Sequence, residues 1–143
     1  MTIRKFLFVL SFFIVFSAHA QQERWVGTWA CAPQTVDKGF MPYNNQMTNR
    51  SVRQVVKVSI GGSAIRLQLS NELSSEPVEI TSVYVAKAEE GAEIQKNSAR
   101  YLQFSGKRQV TIPAGKAVFS DALKFDLLPL ERLSITINYL KEP

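Results

Sequence analysis

The sequence predicts an all-β fold, an antiparallel β-sandwich of jelly-roll-like form that follows a cleaved signal peptide. Apolar residues recur at every second position in several short runs. This spacing puts one side of a strand on a buried face and the other side in solvent. Turn signals rich in glycine, proline and serine separate the runs. No long window shows the 3.6-residue period of an amphipathic helix. Short alternating runs with frequent turns are typical of sandwiches.

We expect about seven or eight short strands from this pattern. The clearest alternating runs are residues 56–60, 65–69, 83–85, 110–112, 123–127 and 133–139. Turn signals lie at residues 61–62, 74–77, 105–107, 113–115 and 120–121. The segment 35–49 is polar and irregular, and we expect it to be a long surface loop.

Gly61 and Gly62 lie between two alternating runs and predict a tight hairpin. Glycine tolerates the positive φ angles that such a turn requires. A phosphate-binding loop would instead lead from a strand into a helix, with a Lys-Ser or Lys-Thr pair after the glycines. Because a strand pattern follows here, we interpret the pair as a corner between strands and not as a ligand loop.

Residues 1–20 have the pattern of a secretory signal peptide. Arg4 and Lys5 precede the apolar run 6–16, and small residues end the segment at Ala18 and Ala20. The run is shorter than the roughly 20 residues that a membrane-spanning helix needs. We therefore expect cleavage after Ala20, a single domain at 21–143, a secreted or periplasmic location, and no membrane attachment after cleavage.

The charge and the cysteine content exclude some classes of function. Loss of residues 1–20 removes two basic residues and lowers the net charge from +5 to +3. No stripe of lysine or arginine forms, so we expect no nucleic-acid partner. Cys31 is the only cysteine, which leaves no internal disulfide, and a small half-buried residue is the favoured interpretation over a reactive thiol.

Histidine is the most informative absence. The only one, His19, lies in the predicted signal peptide, so a Ser-His-Asp or Cys-His site cannot be built from residues 21–143. We assign no catalytic residue, cofactor or metal ligand, and we expect the chain alone to be inactive. Ser120 and Asp121 have no base beside them and are interpreted as turn residues. The spacing of the acidic residues 89, 90 and 93 fits no calcium loop.

Aromatic residues near the start of the mature chain are candidate glycan contacts. Trp25 and Trp29 would share a face if this segment were a strand, and packing is favoured over sugar stacking for them. Phe40 and Tyr43 lie in the predicted long loop, where binding residues are often found. Trp29 and Tyr43 are therefore kept as possible ligand contacts.

Basic residues on the predicted strands form a second candidate surface. Arg50, Arg53, Lys57 and Arg66 follow one another along consecutive runs. A patch for an anion or an acidic glycan is possible on this pattern, and a solvated outer face is the favoured alternative. Arg53 and Arg66 are the members kept as candidate contacts.

Several blocks of the sequence resemble the N-terminal region of exported SGNH/GDSL-type hydrolases. The blocks are WVGTWACAP (25–33), RQVVKVSIGGSAIRLQLSN (53–71), PVEITSVYVA (77–86), VTIPAGKAVFSDAL (110–123) and LSITINY (133–139). They follow one another in order across nearly all of residues 25–139. In that family, a β-sandwich module precedes a catalytic α/β domain.

The resemblance implies an accessory role in ester hydrolysis. The Gly-Asp-Ser, oxyanion and Asp-x-x-His blocks of the family have no counterpart in this sequence, so no catalytic residue is carried over. The implied function is the noncatalytic N-terminal module of a secreted ester hydrolase acting on acylated carbohydrates or lipids, truncated before its catalytic domain. Ser70 and Asn71 are candidate contacts to that domain, with simple strand termination as the alternative.

Two other functions remain open on the sequence. One is a free-standing secreted glycan-binding module, and the other is a structural partner that docks onto a separately encoded catalytic chain. Neither the sugar nor the acyl group is indicated by the sequence.

Overall fold

A computed structural model describes residues 24–35, 38–40 and 47–141. Within these residues the regular structure consists of nine strands and two single 3₁₀ turns, at Lys38–Phe40 and Lys96–Ser98. All strand pairs are antiparallel. The predicted all-β antiparallel sandwich is confirmed. The predicted signal peptide lies outside the described residues. No helix in the described part of the chain is long and apolar enough to cross a bilayer.

The strands are short at the periphery and long in the centre. They are β1 (Ser51–Lys57), β2 (Gly62–Ile65), β3 (Gln68–Asn71), β4 (Val78–Lys87), β5 (Arg100–Tyr101), β6 (Val110–Ile112), β7 (Lys116–Phe119), β8 (Leu123–Leu127) and β9 (Arg132–Lys141).

The two layers of the sandwich are unequal. One is a five-stranded sheet in the order β1-β9-β4-β5, with β6 pairing the first residues of β4. The other is a two-stranded ribbon, in which β2 pairs β8 and β3 pairs β7. The ribbon is interrupted between its two halves, where the Ser120 N–H donates to the Leu67 carbonyl (2.8 Å). The Leu67 N–H in turn donates to the Ser120 hydroxyl (3.0 Å).

The core lies between these layers. The large sheet contributes apolar side chains from β1, β4, β6 and β9, and the ribbon contributes them from β2, β3, β7 and β8. The buried members are Val56, Val58, Val78, Ile80, Val83, Val85, Leu102, Phe104, Ile112, Phe125, Leu127, Leu133 and Ile135. Most of the predicted inward positions are therefore in the core.

The central strand β9 departs from simple alternation. Ser134 and Thr136, predicted to face solvent, are 1% and 3% exposed, as buried as their apolar neighbours Leu133 and Ile135. β9 pairs with β1 on one side and β4 on the other, and the Arg53 side chain lies over Thr136, donating from Nε to its hydroxyl (2.9 Å). At Thr136, the Arg53 side chain therefore covers a position that the alternating pattern predicts to be solvent-exposed.

Gly61 and Gly62 do not form a hairpin. β1 belongs to the large sheet and β2 to the ribbon, so the pair is the corner where the chain passes from one layer to the other. Neither glycine has a positive φ. Gly61 is instead required by close approach, because a Cβ there would overlap the carbonyl oxygen of Leu127. The predicted corner between strands is confirmed. The predicted hairpin geometry and its explanation by positive φ are wrong.

We expect Gly61→Ala to lower the free energy of unfolding by about 1–3 kcal/mol, since the new methyl group meets immobile backbone. Gly62→Ala is the matched control, because a Cβ there has only an ordinary contact at 3.7 Å. Urea denaturation of both variants measures the difference. Equal destabilisation by the two substitutions would contradict the close approach.

Candidate binding surfaces

The N-terminal segment 24–35 has no regular secondary structure, so Trp25 and Trp29 do not share a strand face. Both indoles are more than two-fifths exposed (42% and 44%), contrary to the expected packing. The segment is attached through Thr28, whose hydroxyl accepts from the N–H groups of Ser59 (3.0 Å) and Ile60 (3.1 Å). Trp29 is thus available to a ligand, as the sequence allowed.

Arg53 and Arg66 lie on different parts of the molecule. The guanidinium carbon of Arg66 is 5.1 Å from the centroid of the Trp25 ring, beside the ribbon. Arg53 lies on the large sheet, and its Nη2 donates to the Tyr84 hydroxyl (2.5 Å). The two arginines contact no residue in common, so their contacts provide no support for a shared basic patch.

Ser70 and Asn71 form hydrogen bonds at the end of β3. The Asn71 side chain is buried, and its amide nitrogen donates to the carbonyls of Glu76 (2.8 Å) and Ile112 (3.2 Å). The Ser70 hydroxyl donates to the Glu72 carboxylate (2.8 Å). These contacts favour strand termination. A role in contacting a second domain stays a prediction for these two residues, and Tyr43 lies outside the described residues.

Ser120 and Asp121 join the two layers through hydrogen bonds. Ser120 is 1% exposed, and its hydroxyl donates to the Asp121 carbonyl (3.0 Å). The Asp121 carboxylate accepts from the N–H groups of Ser105 (3.0 Å) and Gly106 (2.8 Å), which both have positive φ. The pair stabilises backbone, in line with its interpretation as turn residues. No group of three or more potential metal ligands is found among the described residues.

An exposed apolar surface lies at the layer corner. We call it the corner patch and define it by Trp25, Val26, Ile60, Leu128 and Leu130, with exposed fractions from 42% to 67%. Trp25, Val26 and Ile60 line an open groove of about 610 Å³ together with residues 61–65. The turn that carries the two leucines lies against Gly61. Such clustering of large apolar side chains is typical of interaction sites.

The β8–β9 turn within the corner patch is held by Glu131. Its carboxylate accepts from the Leu128 N–H (2.8 Å) and pairs with the Lys87 ammonium (2.9 Å). Burial raises the pKa of this carboxyl, but the hydrogen bonds from Leu128 and Lys87 and the charge of Lys87 outweigh it, so the net pKa is lowered. The turn also places Leu130 at φ +63°. This left-handed conformation is ordinary for glycine and is rarely adopted by L-residues other than asparagine.

The outer face of the large sheet carries two neighbouring tyrosine rings with an arginine at each end of the row. The Arg53 guanidinium lies 5.8 Å from the Tyr84 ring centroid, and the Tyr84 and Tyr101 rings meet edge to face at 5.7 Å. The Arg108 guanidinium lies 4.2 Å from the centroid of Tyr101. Tyr101 remains 46% exposed. The register of β1, β9, β4 and β5 places the first three residues of this row on one face.

Beside this row, the β4–β5 loop forms an open outer groove. Its volume is about 900 Å³, and its polar lining comes from Arg53, Glu89, Glu93, Gln95, Lys96 and Asn97. The sequence predicted Arg53 of this lining as a candidate contact and did not indicate the rest. Residues 89–97 are remote in sequence from Arg53, and no local pattern shows that the loop between β4 and β5 lies beside β1.

The chain matches no protein-family model, and no curated protein matches it.

We expect Glu131→Gln to lower the free energy of unfolding by about 1 kcal/mol near neutral pH. Because the folded-state pKa of Glu131 is depressed, its stabilisation is present above the ordinary value of 4.5 and is lost as the pH falls through the lowered pKa. The difference from the wild type should therefore shrink on acidification. Urea denaturation at about pH 7 and about pH 3 measures it, with the exposed Glu90→Gln as control. An equal deficit at both pH values would contradict the assigned ion pair.

Proposed function

We propose that this chain is a noncatalytic β-sandwich module that acts together with an SGNH/GDSL-type ester hydrolase domain outside the cell membrane. The substrates of such a pair would be acylated carbohydrates or lipids. Supporting this, the sequence blocks that resemble the family's N-terminal region supply strands to both layers of the sandwich. The chain's only histidine is His19, so the general base would come from the partner domain.

Leu130 is the single observation that carries the proposal. It combines a left-handed backbone, which costs about 1–2 kcal/mol for an L-residue, with a side chain that is 61% exposed. Glycine or asparagine would serve the turn better. An exposed leucine in a strained backbone conformation indicates a role in contacting another molecule and not in folding. Leu128 beside it is 67% exposed. We take the corner patch as the surface that contacts the catalytic domain.

Crosslinking in the producing organism tests this contact. A photoreactive benzoylphenylalanine replaces Leu128, or Leu73 as the control. Leu73 is also exposed (56%) but lies after β3, at the opposite end of the ribbon. After irradiation, the products are treated with a serine-directed fluorophosphonate probe. We expect a probe-labelled adduct from position 128 and none from position 73, while the purified chain alone is not labelled.

Two results would overturn the proposal. Labelling of the purified chain would show that the module performs acyl chemistry itself. Adducts from position 128 that contain no probe-reactive species would show that the corner patch binds something other than a serine hydrolase.

The Leu130→Gly variant separates folding from association. Relief of the left-handed strain should exceed the entropic cost of glycine and raise the free energy of unfolding by about 0.5 kcal/mol. The same variant should weaken the labelled crosslink from position 128, because it removes apolar area from the corner patch. Urea denaturation and the crosslinking yield measure the two effects. A variant that is more stable and crosslinks undiminished would remove Leu130 from the interface.

A glycan-binding module is the second candidate function. The outer groove favours it, because the large sheet there presents aromatic rings and unpaired polar side chains on one surface. The two functions are compatible, since a module can dock with one surface and hold a carbohydrate with another.

A further inference from the structure

We infer that the outer groove binds a neutral carbohydrate, with Gln95 and Asn97 as ligand-contacting residues. This inference rests on the second candidate function and gives it a site and a ligand class. It does not depend on the corner patch or on an esterase partner.

The backbone of the groove is fixed from several sides. The Gln95 N–H donates to the Lys87 carbonyl (2.9 Å), and the Lys87 N–H donates to the Ser98 hydroxyl (2.9 Å). From across the sheet, Arg53 Nη1 donates to the Ala92 carbonyl (2.7 Å). The Ser98 hydroxyl donates back to the Gln95 carbonyl (2.6 Å). The loop is therefore held in place before any ligand arrives, which lowers the entropic cost of binding.

The side chains on this fixed loop remain available. Among the described residues, Glu93, Gln95, Lys96 and Asn97 make no side-chain hydrogen bond or ion pair with any other residue. Their amide, carboxylate and ammonium groups supply both donors and acceptors. Sugar hydroxyls both donate and accept, so a lining of this mixed kind can satisfy them.

The charges of the groove favour a neutral ligand. Arg53 and Lys96 are balanced by Glu89 and Glu93 in the lining, so the formal charge sums to zero and gives no attraction for an anion. The Arg53 guanidinium is also engaged by Thr136, Ala92 and Tyr84. A carboxylate or sulfate ligand would face two carboxylates and an arginine that already has partners, with Lys96 as the one unengaged cation among the described residues of the lining.

The size and polarity of the groove favour a carbohydrate over a protein segment. Its volume of about 900 Å³ falls in the range of pockets that hold small organic ligands, about 300–1,000 Å³. Protein interfaces need large apolar anchors at their centre, and Ile94 is the only large apolar residue of the lining. Tyr101, which is 46% exposed and has Arg108 over its ring, adds a partly open aromatic side chain beside the groove.

A glycan microarray that carries neutral and acidic oligosaccharides tests the inference on the full exported chain. We expect neutral members to bind. Calorimetric titration with a neutral oligosaccharide that bound on the array then compares the dissociation constants of the variants. Gln95→Ala and Asn97→Ala should weaken binding about fivefold or more by loss of hydrogen bonds, while Gln68→Ala, an exposed glutamine on β3, leaves it unchanged. Binding should be the same at roughly 0.05 M and 0.5 M salt, since screening does not affect an uncharged ligand.

Three results would overturn the inference, and they are distinguishable. Binding only to acidic glycans would refute the ligand class. If Trp29→Ala abolishes binding of the neutral glycan while Gln95→Ala and Asn97→Ala do not affect it, the binding site lies in the N-terminal segment. The glycan-binding function would then stand, and the proposed site would be wrong. Absence of binding to every glycan would remove that function as well, without bearing on the corner patch and the crosslink from position 128.

Discussion

The pairing of β9 with β1 and β4 along most of its length is the constraint on which the rest of the structure depends. It places the apolar residues of the three longest strands on one face, where the ribbon covers them. It also aligns Arg53, Thr136 and Tyr84 across the other face, since residues opposite one another in an antiparallel pair share a side. The outer groove exists because this alignment brings Arg53 under the β4–β5 loop.

The two surfaces of the molecule differ in chemistry and in construction. The corner patch is apolar and carries a strained turn, which Glu131 holds through an ion pair and a backbone hydrogen bond. The outer groove is polar and unstrained at its loop backbone apart from Gly91, for which a positive φ is ordinary. An apolar surface suits a protein partner that stays bound, and a shallow polar groove suits a ligand that exchanges.

The sequence predicted the fold better than the surfaces, for identifiable physical reasons. Alternation located β8 and most of the core because each inward residue contributes to a local period. It failed at Ser134 and Thr136, which lie on the central strand between β1 and β4, and Thr136 is covered by Arg53, remote in sequence. It also gave the wrong reason for Gly61, whose constraint is the backbone of Leu127. The hydrogen-bond partners of Arg53 and Asn71 could not be predicted either, because they are set by tertiary contacts that no local sequence pattern encodes.

The position of β1 at the border of the large sheet has a further consequence. Within the described residues it pairs with β9 alone, which makes it an edge strand of the described sheet. Free sheet borders of this kind promote aggregation through strand addition, and charged side chains oppose it. Arg53 and Lys57 lie on this strand. Two cations on an edge strand therefore disfavour strand addition by a second copy of the molecule.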